Sequence, residues 1–494
     1  MRAPVSGSPP IPPTPLNPVM TPLMTLDVEE LPYRPDSAAV FAPLAARPWS
    51  VWLDSGRPGS LAGRWDILAC DPWSSLVTRG GLTWIRDGGV SRSRQDPLDL
   101  LRRQLGPMAV WPPRVAALEP EGLPFGGGAI GWFGYDLGRR FERLPATALD
   151  RQGLPDMALG LYDWALLVDH ARQRTWLAGR GGRSPQARER LRRSALAPGP
   201  AGLPGAFRVT GPLRSNLTDE DYRDRFQRVQ AYIQAGDCYQ VNLARRFSVK
   251  ARGDPWAAYL ELRRHSPAPF AAWLNTPGVQ ILSASPERFL RVREGRVETC
   301  PIKGTAPRLP DPVADQRQRQ SLAISPKDRA ENIMIVDLLR NDLGRNCAIG
   351  SIQVPDLFAV ETFAQVHHLV SRVIGRLAPG VDGLELLRGC FPGGSITGAP
   401  KIRAMEVIEE LEGERRGVYC GCIGYLGHDG ALDTSITIRT LTLAQGELSF
   451  WAGGGLVADS QCEDEAAEIA VKARAMRELV ETFRRDDGEE AFRP

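Results

Sequence analysis

Of the 61 basic side chains in this 494-residue sequence only five are lysine, at positions 250, 303, 327, 401 and 472, and the other 56 are arginine. A lysine amine can lose its proton and attack carbon, whereas a guanidinium stays charged. Either lysine is kept where such an amine is needed, or drift in coding bias has thinned it; the counts fit both. Carboxylates stand in a second suggestive pattern. Asp328 and Glu331, and again Glu465 and Glu468, are spaced i, i+3, so a helix through either pair presents two carboxylates on one face. In EDEAAEIAVKA, Glu465, Glu468 and Lys472 fall on one flank of an apolar stripe formed by Ala466, Ile469, Ala473, Met476, Val480 and Phe483. Charges beside a buried stripe can line a pocket. Equally, Glu468 and Lys472 can form an i, i+4 ion pair on a solvated face, worth only ~0.3–0.5 kcal/mol.

Other chemistry is excluded by context. GGGAIG at Gly126–Gly131 fits the dinucleotide pattern G-x-G-x-x-G, but strand-like text continues through Trp132 and Tyr135 and no helix opens at the glycines. GGSITGAPK at Gly393–Lys401 has Ala399 and Pro400 where a phosphate loop needs Gly-Lys, although it still marks the start of a helix. There is no G-x-S-x-G or G-x-C-x-G elbow, so neither an α/β-hydrolase nor a glutaminase is encoded. His367 and His368 lie in strand-like text, where satisfied core histidines are the commoner outcome.

The elements that must position these residues fall into stretches. Met1 to Pro22 holds eight prolines, one basic residue (Arg2) and no apolar run, so residues 1–24 are expected to be a disordered tail and not a signal peptide. Residues 25–180 alternate short apolar segments with turns and read as an α+β domain. A Gly-, Pro- and Arg-rich linker is expected over 181–215, and a second domain over 216–488. In that domain Thr218 and Gly236 bound one helix. Ser325 as N-cap, Pro326 at the first position and Gly344 at the end bound a second. Ser460 with Glu463 forms a capping-box pattern for a closing helix. A formal charge of +3 gives no electrostatic support for nucleic-acid or membrane-surface binding, and no apolar run reaches the ~18 residues of a membrane span. Eight cysteines without a C-x-x-C pair fit free thiols in a reducing cytoplasm.

ASPERF, CPIKGTAPR, AENIMIVDLLRNDLGR, FPGGSITGAPK, RGVYCGCIGYLG, TSITIRT, AGGGLVADS and EDEAAEIAVKA, in that order, resemble the chorismate-binding family, and LPYRPD, DILACDP and FGGGAIGWFGYDL extend the likeness toward the N-terminus. The resemblance implies an α+β fold in which a two-sheet antiparallel sandwich carries helices on the outside. It implies Mg2+ held by Glu331 and Glu468, with Glu465 and Asp328 as water-mediated ligands, a mode that suits magnesium's preference for oxygen and retained waters. Substrate contacts implied are Arg439, Tyr419, Lys472, Gln240, Gly304, Thr305 and the amides of Gly453, Gly454 and Gly455, with His368 near the ring. Glu287 is the implied general acid and base, against the alternative of a strand-end carboxylate paired to Arg288 or Arg291. For the glycine run the alternative is a flexible turn.

Two positions sort the branches of that family. The branch that aminates chorismate at C4, the step before 4-aminobenzoate and folate, resembles P-I-K-G-T with a nucleophilic lysine, here Lys303; the branch that forms anthranilate resembles P-I-A-G-T. To act as a nucleophile near neutral pH the Lys303 amine is expected to sit ~3 units below its reference value, a differential stabilisation of ~4 kcal/mol. Branches that add water place a lysine where this chain has Gln240, which cannot act as that base. By resemblance, ammonia comes from a separate glutamine amidotransferase subunit. WLDSG resembles the lining of a tryptophan pocket, with Asp54 and Ser55 as its polar residues. A non-catalytic amino-acid-binding regulator is the reading from another class.

Overall fold

The structure is a computed structural model describing residues 24–58, 63–119, 122–198, 205–363 and 366–484. Apart from Met24, the tail expected over residues 1–24 lies outside the described residues. The chain folds into two twelve-stranded sheets whose neighbouring strands run antiparallel, as in the pairings of Trp164–Asp169 with Arg174–Gly179 and of Gln240–Gly253 with Glu447–Leu456. Short apolar segments form the middle of the sandwich. WALLVD (Trp164–Asp169) is buried at every position, because one face meets the opposite sheet and the other lies under helix Pro185–Leu196. Side chains from both sheets join in the apolar interior, Ile67 and Leu167 with Ile130 and Trp132, while the alternate residues Leu68 and Leu166 face outward in a cluster that includes Leu191 of the covering helix. Helices cover the outer faces, as expected.

Both sheets draw strands from both halves of the chain. Strand Gly128–Phe133 lies between Met157–Tyr162 and Cys422–Gly427, and Phe270–Thr276 pairs with Ser50–Asp54. The glycines that mimicked a dinucleotide motif serve this pairing. A Cβ on Gly131 would stand 2.0 Å from the Ala158 carbonyl oxygen, so glycine permits the close approach. Residues 181–215 carry helix Pro185–Leu196 and strand Phe207–Ser215, which pairs with Gln240–Gly253.

Helix ends follow local rules where the cap is local. Thr218 and Asp221 form a reciprocal capping box at helix Asp219–Gln234. Ser325 accepts from the Asp328 amide at 3.4 Å to open Pro326–Gly344. The capping box expected at Ser460 and Glu463 does not form. Helix Cys462–Thr482 starts after Gln461 without a side-chain cap, and the Ser460 hydroxyl instead donates to the Glu465 carboxylate at 2.7 Å. A buried acid competes for that hydroxyl more strongly than an exposed amide. All eight cysteines are free, and among the described residues no helix is long and apolar enough to cross a membrane.

Candidate functional site

Lys303 lies on the short strand Ile302–Pro307, at the end of one sheet next to Val366–Arg376. The pairing slips by one residue between Lys303 and Thr305. The extra residue is Gly304, whose φ of 77° favours glycine; such a bulge re-aims neighbouring side chains. A Cβ there would also stand 2.9 Å from the Asp328 carboxyl, so Gly304 brings the strand against the first turn of helix Pro326–Gly344. One turn further along that helix, Glu331 accepts a hydrogen bond from the Lys303 Nζ at 2.9 Å. Burial alone would depress the Lys303 amine, but Glu331, then Glu287 and Glu468, outweigh it and hold the amine above its ordinary value. The expected depression is therefore corrected: Glu331 bonds the amine, and the charges of Glu287 and Glu468 add to it in stabilising the cation.

Glu287 sits in the gap between strands Val279–Ser285 and Arg288–Arg293. Burial pushes its carboxyl up to about 7; Lys303, the Ser395 hydroxyl at 3.3 Å, the Ile302 amide and Arg439 pull the other way. Its neighbour Arg288 is taken by Asp433 at 3.1 Å and Glu298 at 2.8 Å. Arg439 is held below its usual range by burial, opposed by the charge of Glu287. Among the described residues its guanidinium has no hydrogen-bonded or ion-pair partner, which leaves its fork available to a carboxylate. The two adjacent histidines face opposite ways. His367 is satisfied by Asp315 and Thr362, each at 3.0 Å. His368 shares a 2.9 Å hydrogen bond with Thr305, and burial followed by Arg439 lowers it to about 4, so it is neutral near neutral pH.

The third wall comes from strand Glu447–Leu456 and helix Cys462–Thr482. Gly453, Gly454 and Gly455 lie within that strand, paired to Asn242–Ala244, and form no turn. Each makes room for a neighbour: a Cβ would stand 2.6 Å from the Ala244 Cβ, 2.8 Å from Glu465 Oε2 and 2.3 Å from Gln240 Nε2 respectively. Lys472 donates to the Gly453 carbonyl at 3.0 Å and pairs with Glu468 at 2.7 Å. The i, i+4 pair thus exists, with its two side chains 39% and 49% exposed. Burial favours the neutral acid at Glu468, yet Lys472, Lys303 and Lys327 together hold its carboxyl below the ordinary value. Glu465 is turned inward to Ser460, and burial raises it. Gln240 is fully buried with neither amide atom hydrogen-bonded to protein, an arrangement costly unless a ligand completes it. Tyr419 stacks on Trp451, the rings 5.9 Å apart and 7° from parallel.

Three of the five lysines, Lys303, Lys327 and Lys472, therefore meet the carboxylates of two helices, while Lys401 is tied to Asp342 at 2.8 Å. Among the described residues no three His, Cys, Asp or Glu side chains converge on a point that could hold a metal ion. Glu331 and Glu468, which both act on Lys303, are the oxygen donors a hard cation could share. Ser395 and Trp451 belong to the site and were not singled out from sequence, because each is defined only by what lies across the fold from it. Asp54 and Ser55 form a separate buried network. Asp54 accepts from Arg263 at 2.6 Å, Tyr259 at 2.8 Å and the Gly56 amide at 2.7 Å, and Ser55 donates its hydroxyl to Asp66 at 2.7 Å.

A family model described as chorismate binding enzyme matches residues 99–478. Aminodeoxychorismate synthase component 1 of Klebsiella aerogenes is 52% identical over 441 residues, covering 89% of this chain and 94% of that protein. The protein of the same designation from Salmonella typhimurium is 50% identical over 453 residues, 91% and 97% of the two chains. Among solved structures, anthranilate synthase component I from Streptococcus pneumoniae superposes with a TM-score of 0.74 at 32% identity, over 84% of this chain and 93% of that one.

Proposed function

The chain belongs to the chorismate binding enzymes, and we propose that within them it converts chorismate and ammonia to 4-amino-4-deoxychorismate. The observation that carries this reading is the Lys303 amine, half-buried on its bulged strand among Glu331, Glu287 and Glu468, in a chain otherwise sparing of lysine. The 50–52% identity to proteins named aminodeoxychorismate synthase component 1 supports the same branch. Arg439 offers the unpaired fork for one substrate carboxylate, with Tyr419, Lys472 and Gln240 as the further substrate contacts that the family resemblance implies. Magnesium bound by Glu331 and Glu468 would take the other carboxylate and neutralise the charges that keep Lys303 protonated.

In this mechanism the neutral Lys303 nitrogen bonds to ring C2, the ring double bonds shift, and the C4–O bond breaks. Glu287, poised at about 7, gives its proton to the departing hydroxyl, which leaves as water. Ammonia then bonds to C4, the double bonds shift back, and lysine departs from C2 with the electron pair; Glu287 recovers a proton from the new ammonium. The neutral ring of His368 adds no second cation beside Arg439. A second component, which the relatives' designation as component 1 supports, would be a glutamine amidotransferase chain that supplies ammonia, and the free thiols fit a reducing cytoplasm. The test incubates the purified chain with chorismate, magnesium chloride and ammonium chloride and identifies products by mass spectrometry. 4-Amino-4-deoxychorismate is expected; anthranilate with release of pyruvate would overturn the reading.

A further inference from the structure

We propose that Arg416, in the turn after helix Lys401–Glu412, is a positioning residue that fixes the substrate-binding arms of the site from behind. It is 1% exposed and carries its charge in the interior with one ionic partner, Glu412, which it meets through two bonds, Nε to Oε2 at 2.8 Å and Nη2 to Oε1 at 2.6 Å. Its remaining contacts go to backbone carbonyls on two other segments: Nη2 donates to Asn242 at 2.6 Å and Nη1 to Ile396 at 3.0 Å. Glu412 in turn accepts from the Ala244 amide at 2.9 Å. The guanidinium lies over the rings of Tyr135 and Tyr419, 4.9 and 5.5 Å from their centroids, and the Arg416 carbonyl accepts from the Tyr419 amide at 3.2 Å.

Each segment held in this way carries one group of the site. Asn242 follows Gln240 by two residues, Ile396 follows Ser395, the partner of Glu287, and Tyr419 closes the Arg416 turn. A buried charge pair contributes little net stability compared with a well-packed apolar pair, so its directed bonds to three separate segments suggest that orientation is what it supplies. Only a planar fork can serve acceptors in these fixed directions; a lysine would keep the charge and lose the geometry. The inference rests on the chorismate reading of the site and adds to it a residue that touches no substrate.

Two variants test it: Arg416→Lys, and the paired Glu412→Gln/Arg416→Gln, which removes both charges together so that neither is left unpaired. Each is compared with wild type by circular dichroism and gel filtration, and then by chorismate KM and kcat with magnesium and ammonium chloride. The expected result, in whichever variant retains wild-type secondary structure and elution, is a rise in chorismate KM of about tenfold or more with kcat changed less than about threefold. A purely structural role would lower kcat with the folded fraction and leave KM where it was. A KM within about threefold of wild type in folded protein overturns the proposal. Wild-type protein that fails to turn over chorismate sinks the functional reading instead, so the two failures are distinguishable.

Discussion

Glu287→Gln should make the protein more stable and less active. Lifting a carboxyl from 4.5 to about 7 means that the folded state disfavours the carboxylate by about 3 kcal/mol. The folded protein therefore holds this proton more tightly than the unfolded chain. Its contribution to stability is fully present below pH 4.5 and is lost as pH rises through about 7. Glutamine has no proton to lose. Thermal unfolding of both proteins across this range should show the variant's melting temperature pulling ahead as pH rises, by a few degrees at the alkaline end. Amination should fall by about 10²–10⁴, the usual weight of general acid–base catalysis. Melting curves that stay parallel from acid to alkaline pH would refute the claim that burial, incompletely offset by Lys303, Ser395 and Arg439, governs this acid. A variant with wild-type turnover would refute its role.

Lys303→Ala should remove amination at C4 while chorismate still binds, as measured by product mass spectrometry and equilibrium dialysis. Ser395→Ala deletes a hydrogen bond that favours the Glu287 carboxylate, so the alkaline limb of the kcat/KM profile should move upward from about 7. Gly455→Ala places a methyl 2.3 Å from Gln240 Nε2, and should raise chorismate KM, because the side chain that must yield is the buried amide assigned to the substrate.

Much of this was readable before the fold was known. Helices Asp219–Gln234 and Pro326–Gly344 have their starts written within four residues of chain, and the two-sheet architecture is the one the family resemblance implies. What escaped are facts about partners far away in sequence. Ser395 bonds Glu287 across 108 positions, and Arg416 reaches Asn242 across 174; no local pattern encodes either. Ser460 was misread for the same reason, since its hydroxyl answers to a carboxylate that only the packed helix buries. The protonation of Lys303 was misjudged because burial could be anticipated, whereas three surrounding carboxylates could not be weighed until they had positions.

The interleaving of the two sheets bears on how the chain is born. Strand Gly128–Phe133 leaves the ribosome roughly 290 residues ahead of Cys422–Gly427, its neighbour on one side. At ~5–20 residues per second that apolar ribbon waits roughly 15–60 s with an open edge. Glu468 and Lys472 emerge later still, so a nascent chain stalled anywhere short of its last long helix is an adhesive intermediate without a working centre, and chaperone occupancy during synthesis should track that interval.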